Sequence, residues 1–206
     1  MVKQNSKLVV ERREEIINAC EKLYKKLSFK QITLKEIGKV TSFSRPTIYN
    51  YFETKEEIFL ALYEREYEKW NKELNLIYNE NEKLTVSELA KKISISIANR
   101  EQLLKLLSMN NYDMEANSRE ENLVSFKIAF GDSINNIKKI LKKFHPKMTN
   151  SSIESFIFIF FPFMFGIYPY TNVTKKQKNA MKKAKINFLY QTIYEITYKC
   201  LIELLK

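Results

Sequence analysis

The stretch Ser44-Arg45-Pro46-Thr47-Ile48-Tyr49-Asn50-Tyr51-Phe52 decides how this chain is read. Ser44 has an N-cap side chain, and Pro46 falls in the first turn, where its missing amide hydrogen costs nothing. Ile48 and Phe52 are four apart and face inward. Arg45, Thr47, Tyr49, Asn50 and Tyr51 are left on the other faces, where a merely solvated helix does not normally spend two tyrosines. The spacing predicts a short helix whose outer face meets a partner.

Upstream, Thr33 and Glu36 have capping-box spacing, in which the hydroxyl takes an orphan amide and the carboxylate reaches back to the cap. A short helix from Leu34 to about Val40 follows, burying Leu34, Ile37 and Val40, and Thr41-Ser42-Phe43 makes a compact turn. Two short helices joined this way, the second polar and aromatic outside, form a helix-turn-helix whose second helix enters the DNA major groove. Before them, Ile16, Cys20, Leu23 and Leu27 give one amphipathic helix over Glu11 to Leu27. After them, Thr54 and Glu57 spell a second capping box. The long helix it opens carries Ile58, Leu62, Tyr63, Tyr67, Trp70, Leu74 and Ile77 at helical spacing.

The string Ile32-Thr33-Leu34-Lys35-Glu36-Ile37-Gly38, continued by Ser44 to Ile58, resembles the N-terminal domain of the TetR family of transcriptional regulators. The likeness extends back to Arg13, Ile16, Ala19 and Tyr24. It implies that Thr47 and Tyr49 reach phosphates, as does Lys55 at the start of the fourth helix, with Thr33 also near the backbone. Arg45 and Asn50, with Ser44 and Tyr51, lie where the family varies with its operator. They are the candidates for base contact, since Arg suits guanine and Asn suits adenine. Ser28 and Ser42 stand where the family usually has glycine. If either site requires positive φ, serine costs about 1 kcal/mol there.

The expected architecture is all-α. A three-helix head, residues 1–54, is joined by the long fourth helix to a helical body, residues 55–206. Three glycines and four prolines in 206 residues argue against an all-β fold that needs frequent tight turns. In the body, helices are expected from about Val86 to Met109 with a break near Asn99, then across a polar gap at Asn110–Glu121 from Asn122 to Phe144. An aromatic helix from Ser151 to Phe165, broken at Gly166/Pro169, and a last helix from Lys175 to Leu205 complete it. The apolar run Phe156–Tyr168, interrupted by Pro162 and Gly166, falls short of the ~20 residues of a membrane span and reads as a buried helix.

The resemblance further implies a homodimer through the last two helices, a palindromic double-stranded operator, and a pocket for a small hydrophobic or aromatic effector. Rings at helical spacing ordinarily fill core and interface. Trp70, Phe126, Phe130, Phe160 and Met164 are the candidates to line a pocket. The expected function is a repressor released from DNA by that effector. The alternative is an architectural or scaffold protein with the same head and no small-molecule sensing.

The net charge of +11 is uneven. Residues 1–55 carry 12 basic and 6 acidic side chains, residues 56–137 carry 10 and 15, and residues 138–206 carry 13 and 3. Only the first excess lies on the DNA-reading motif; in the tail, lysine serves equally well as the default solvated residue. One histidine, His145, and two cysteines at opposite ends give no metal-ligand or redox spacing. His145, before Pro146, is expected to cap helix-end carbonyls. No enzyme, metal or cofactor is expected, an unforeseen cluster around Asp113 and Glu115 aside. Without a signal-peptide core the expected location is the cytoplasm.

Overall fold

A computed structural model describes the backbone of residues 2–109 and 111–206, with side chains described from 7 to 109 and from 113 to 206. Among the described residues the regular elements are all helical: α1 (Val2–Tyr24), α2 (Leu34–Gly38), α3 (Arg45–Ile48), α4 (Lys55–Asn79), α5 (Val86–Ala98), α6 (Glu101–Leu107), α7 (Asn111–Ala116), α8 (Glu120–Phe144), α9 (Asn150–Thr171), α10 (Lys175–Lys183) and α11 (Ile193–Leu204), with a 3-10 turn at Phe29–Gln31. Contacts divide the chain into two units. One holds Met1–Arg65 and Asn110–Ile128, the other Glu66–Met109 and Ala129–Lys206.

In the first unit, Ile16, Ile17 and Cys20 of α1 are buried with Ile37 of α2, Ile48 of α3, Phe52, and Ile58, Phe59 and Leu62 of α4. The edges of Tyr24 and Phe29 meet Phe59 at 5.1 and 4.8 Å between centroids. Arg65 of α4 reaches back to three side chains of α1, Glu14, Asn18 and Glu21. Burial pushes the Cys20 thiol up to about 12, so it packs as a small hydrophobe. The helix α1 stops at Tyr24 rather than Leu27, and Val40, expected inside, is 37% exposed because α2 ends at Gly38.

In the second unit, α11 lies on α5 and α9, and α6 lies on α9. The expected break near Asn99 is present: α5 ends at Ala98 and Asn99 is its C-cap. The polar gap is not empty, since α7 occupies part of it; Asn110 lies outside the described residues. His145 Nε2 lies 3.1 Å from the carbonyl of Leu205, so it meets the end of α11 rather than that of its own helix.

Two expectations about the tail are corrected. First, α9 does not break at Gly166/Pro169 but runs through Pro162 and Pro169 to Thr171. Both prolines lie on its exposed side, where a carbonyl deprived of its amide partner is open to water. The opposite side, from Ile153 to Ile167, stays buried without interruption. With 22 residues and a mean hydropathy of 1.5 in its most apolar window, α9 is long and apolar enough to cross a membrane by length and composition, although part of it is buried. Second, the single last helix is two. In α10 no residue is buried. Lys185 then turns left-handed at φ 54°, while the Ile186 and Lys185 amides bond to the carbonyls of Met181 and Lys182, a Schellman-type stop. A Thr192/Glu195 capping box starts α11 afresh. Ile186, Leu189 and Tyr190, expected on the helical stripe, are exposed in the connection.

Candidate nucleic-acid interface

The second helix of the motif is held from below and bare above. Ile48 and Phe52 are fully buried, while Arg45, Pro46, Tyr49 and Asn50 are exposed. Only four residues of α3 have regular α geometry. The helical path nevertheless continues, because the amides of Asn50, Tyr51 and Phe52 bond back to Thr47 and Ile48. Two arginines of α1 cover the motif's rings, Arg12 over Phe43 at 5.8 Å and Arg13 over Phe52 at 5.3 Å.

On the outer face the structure joins two candidates that sequence reasoning kept apart. Arg45 Nη2 donates to the Tyr49 hydroxyl at 2.9 Å, and the guanidinium lies 5.7 Å from the Tyr49 ring centroid. The tyrosine therefore restrains a side chain that otherwise samples many rotamers. Ser44 occupies the N-cap without a side-chain cap bond; its hydroxyl meets that of Thr47 at 3.2 Å instead. Asn50 stays exposed and Tyr51 is half-buried. Lys55 turns inward: its Nζ donates to the Phe29 carbonyl at 3.1 Å and lies 4.1 Å from the Phe29 ring centroid. To reach a phosphate it must leave or share that contact.

Both expected capping boxes close only halfway. The Thr33 hydroxyl accepts the Glu36 amide at 3.2 Å, but Glu36 pairs with Lys39 at 2.9 Å. The Thr54 hydroxyl accepts the Glu57 amide, but the Glu57 carboxylate takes the amide of Glu53 and the side chain of Arg119. Neither serine at the family's glycine sites carries the strain considered for it. Among the described residues, Lys185 alone of the non-glycines has positive φ. Ser28 donates through both its amide and its hydroxyl to Gln31 Oε1, and Ser42 binds Glu15 of α1 through its amide and hydroxyl. The turn is thus fastened by side-chain hydrogen bonds.

The pocket candidates fall in both units. In the second unit Trp70, Phe160 and Met164 are fully buried and Phe130 half-buried. Trp70 and Phe130 both meet Phe161, at 6.0 and 5.6 Å, and Phe160 meets it at 6.1 Å. Phe126 belongs to the first unit, 4.8 Å from Tyr63. An apolar cleft of about 520 Å³ lies elsewhere in the second unit, bounded by Tyr170, Val173, Met181 and Phe188. Among the described residues no cluster of three or more His, Cys, Asp or Glu is placed to hold a metal ion.

Family signatures match nearly the whole of this arrangement. Residues 16–62 match "Bacterial regulatory proteins, tetR family", and residues 64–195 match "Tetracyclin repressor-like, C-terminal domain". The chain belongs to the TetR family of regulators. No curated protein matches it. Among solved structures, a fatty acid degradation regulator, FadR from Bacillus halodurans, superposes with a TM-score of 0.58 at 17% identity, covering 94% of each chain. The TetR-family repressor AlkX from Dietzia sp. strain DQ12-45-1b, implicated in biodegradation of n-alkanes, gives 0.49 at 13%, covering 94% of this chain and 97% of its own. The match over residues 16–62 makes the head a DNA-binding helix-turn-helix, with α3 standing as the second, recognition helix of that motif.

Proposed function

We propose that this TetR-family chain is a homodimeric repressor that binds a palindromic operator and is released by a small hydrophobic or aromatic effector. Residues 1–54 read DNA in this account, while residues 55–206 dimerise through α9 and α11 and hold the effector near Trp70, Phe126, Phe130, Phe160 or Met164. The observation that carries the reading is the outer face of the motif's second helix, which presents a tyrosine-restrained arginine and an exposed asparagine. The dimer is supported by α9, which exposes Phe158 at 76% and Ile159 at 51% on the side away from its core. A dimer sets two recognition helices about 34–36 Å apart, matching successive major grooves. An effector that prefers another separation weakens DNA binding by the same free energy that DNA binding costs the effector.

Arg45→Ala tests the assignment of base contact. It is expected to cost about 1–3 kcal/mol at one base pair per half-site and to relax preference at that position alone. Tyr49→Phe frees the same arginine and is expected to weaken binding as well, whereas Lys55→Ala weakens all sequences alike and lowers the salt slope by about one. Fluorescence anisotropy on single-base operator variants separates these patterns. An unchanged sequence preference in Arg45→Ala contradicts the assignment.

A further inference from the structure

We propose that Arg119, which precedes α8 and lies outside the helix-turn-helix, is a positioning residue for DNA recognition. Its guanidinium and backbone hold the carboxylate that fixes the junction between the recognition helix and α4. The inference rests on the regulator reading above and names the residue through which the 117–119 segment acts on that head.

Glu57, 62 positions away, is 1% exposed. Its Oε1 accepts the Arg119 amide at 3.0 Å and Nε at 2.7 Å, and its Oε2 accepts Arg119 Nη2 at 2.9 Å and the Glu53 amide at 2.8 Å. The same Nη2 reaches the carbonyl of Tyr51, in the turn that ends the recognition helix, at 3.3 Å. Beside it the Thr54 hydroxyl donates to the carbonyl of Asn117 at 2.8 Å. Arg119 Nε also lies 3.6 Å from Glu53 Oε1, so the segment 117–119 is fastened to residues 51, 53, 54 and 57, which span the whole connection from recognition helix to α4. A planar guanidinium fork makes this many-sided contact where a lysine ammonium cannot. The partner carboxylate is buried, so removing the arginine leaves an uncompensated charge rather than a lost surface pair.

Nothing in this arrangement requires Arg119 to touch DNA. Its loss should release the end of the recognition helix while leaving the groove-facing side chains present. Sequence-specific binding then falls, and the non-specific electrostatic component is nearly kept.

The experiment compares wild type, Arg119→Lys and Arg119→Ala as full chains. Circular dichroism checks folding, as does the emission of Trp70, the single tryptophan, which lies in the other unit. On a site selected with the wild type, Arg119→Ala is expected to bind at least tenfold more weakly, and Arg119→Lys to recover little of the loss. Affinity for random duplex should change by less than threefold. Amide exchange should quicken over residues 47–54 and stay unchanged over residues 16–24. If Arg119→Ala does not fold, Arg119→Lys carries the comparison. Operator affinity within twofold of wild type, or equal losses on operator and random DNA, overturns the proposal. If the wild type itself selects no site, the regulator reading fails instead, and the exchange comparison alone decides whether Arg119 positions the helix.

Discussion

Trp70→Ala is expected to destabilise the protein by about 3–5 kcal/mol, the largest effect of any single change considered, and to lower the melting temperature by roughly 10 °C. Trp70 has no exposed surface, and its rings lie among Tyr67 and Phe161. Its indole N–H donates to the Ser96 hydroxyl at 3.0 Å, and that hydroxyl donates in turn to the Ile93 carbonyl at 2.8 Å. Truncation leaves Ser96 with its donor satisfied, so the cost is mainly a cavity that rigid neighbours cannot fill. Trp70→Phe should recover about half of it. Thermal denaturation followed by circular dichroism checks the figure, and a loss below about 1 kcal/mol contradicts the packing role given to Trp70.

The second large effect is a loss of stability in acid. Burial alone would push the Glu57 carboxyl up, but hydrogen bonds from the Arg119 side chain and amide and from the Glu53 amide, together with the guanidinium charge, outweigh it and hold the group at about 2. An ordinary glutamate in the unfolded chain titrates near 4.5. The folded value is the lower one, so the unfolded chain binds the proton first and stability falls as pH drops. The contribution is complete above about pH 4.5 and disappears towards pH 2. A shift of this size corresponds to about 3 kcal/mol. Glu88 and Glu195 are also held below the usual range, by the amides and hydroxyls of Thr85 and Thr192, and act in the same direction. Comparison with Glu57→Gln isolates the first group. Urea denaturation at pH 6 and pH 3 should show wild type losing about 2 kcal/mol more than the variant, the rest of the contribution going only below pH 3, and parallel losses contradict the role assigned to Glu57.

What the sequence discloses follows the range over which each signal acts. The helix-turn-helix was legible because caps, turn and inward pair lie within a few residues, and Thr33, Ile37, Ile48 and Phe52 take their expected places. The splitting of the last helix was written locally as well, in the Thr192/Glu195 spacing. The apolar stripe from Ile186 to Leu204 concealed it, because periodicity does not distinguish one helix from two in phase. Pro169 misleads for a related reason: the carbonyl it leaves without an amide partner is tolerated where water can reach it, and the exposed placement of Pro169 is a tertiary fact, whereas Pro162 stands inside the helix as expected.

The Arg119 contacts could not be read at all. Glu57 at the third position of a helix looks like half of a local capping box, and only the fold brings a residue 62 positions away to take the carboxylate. The joining of Arg45 to Tyr49 sits between these cases, since their four-residue separation already places them on one face.

The central claim, that α3 reads DNA for a dimeric regulator, is tested most directly by selecting binding sites from random duplex DNA at moderate salt and sequencing them. The account predicts a palindrome whose half-sites lie about one helical turn, 10–10.5 base pairs, or a small multiple of it apart. A pool that enriches no sequence, even though the folded protein holds DNA at low salt, contradicts it.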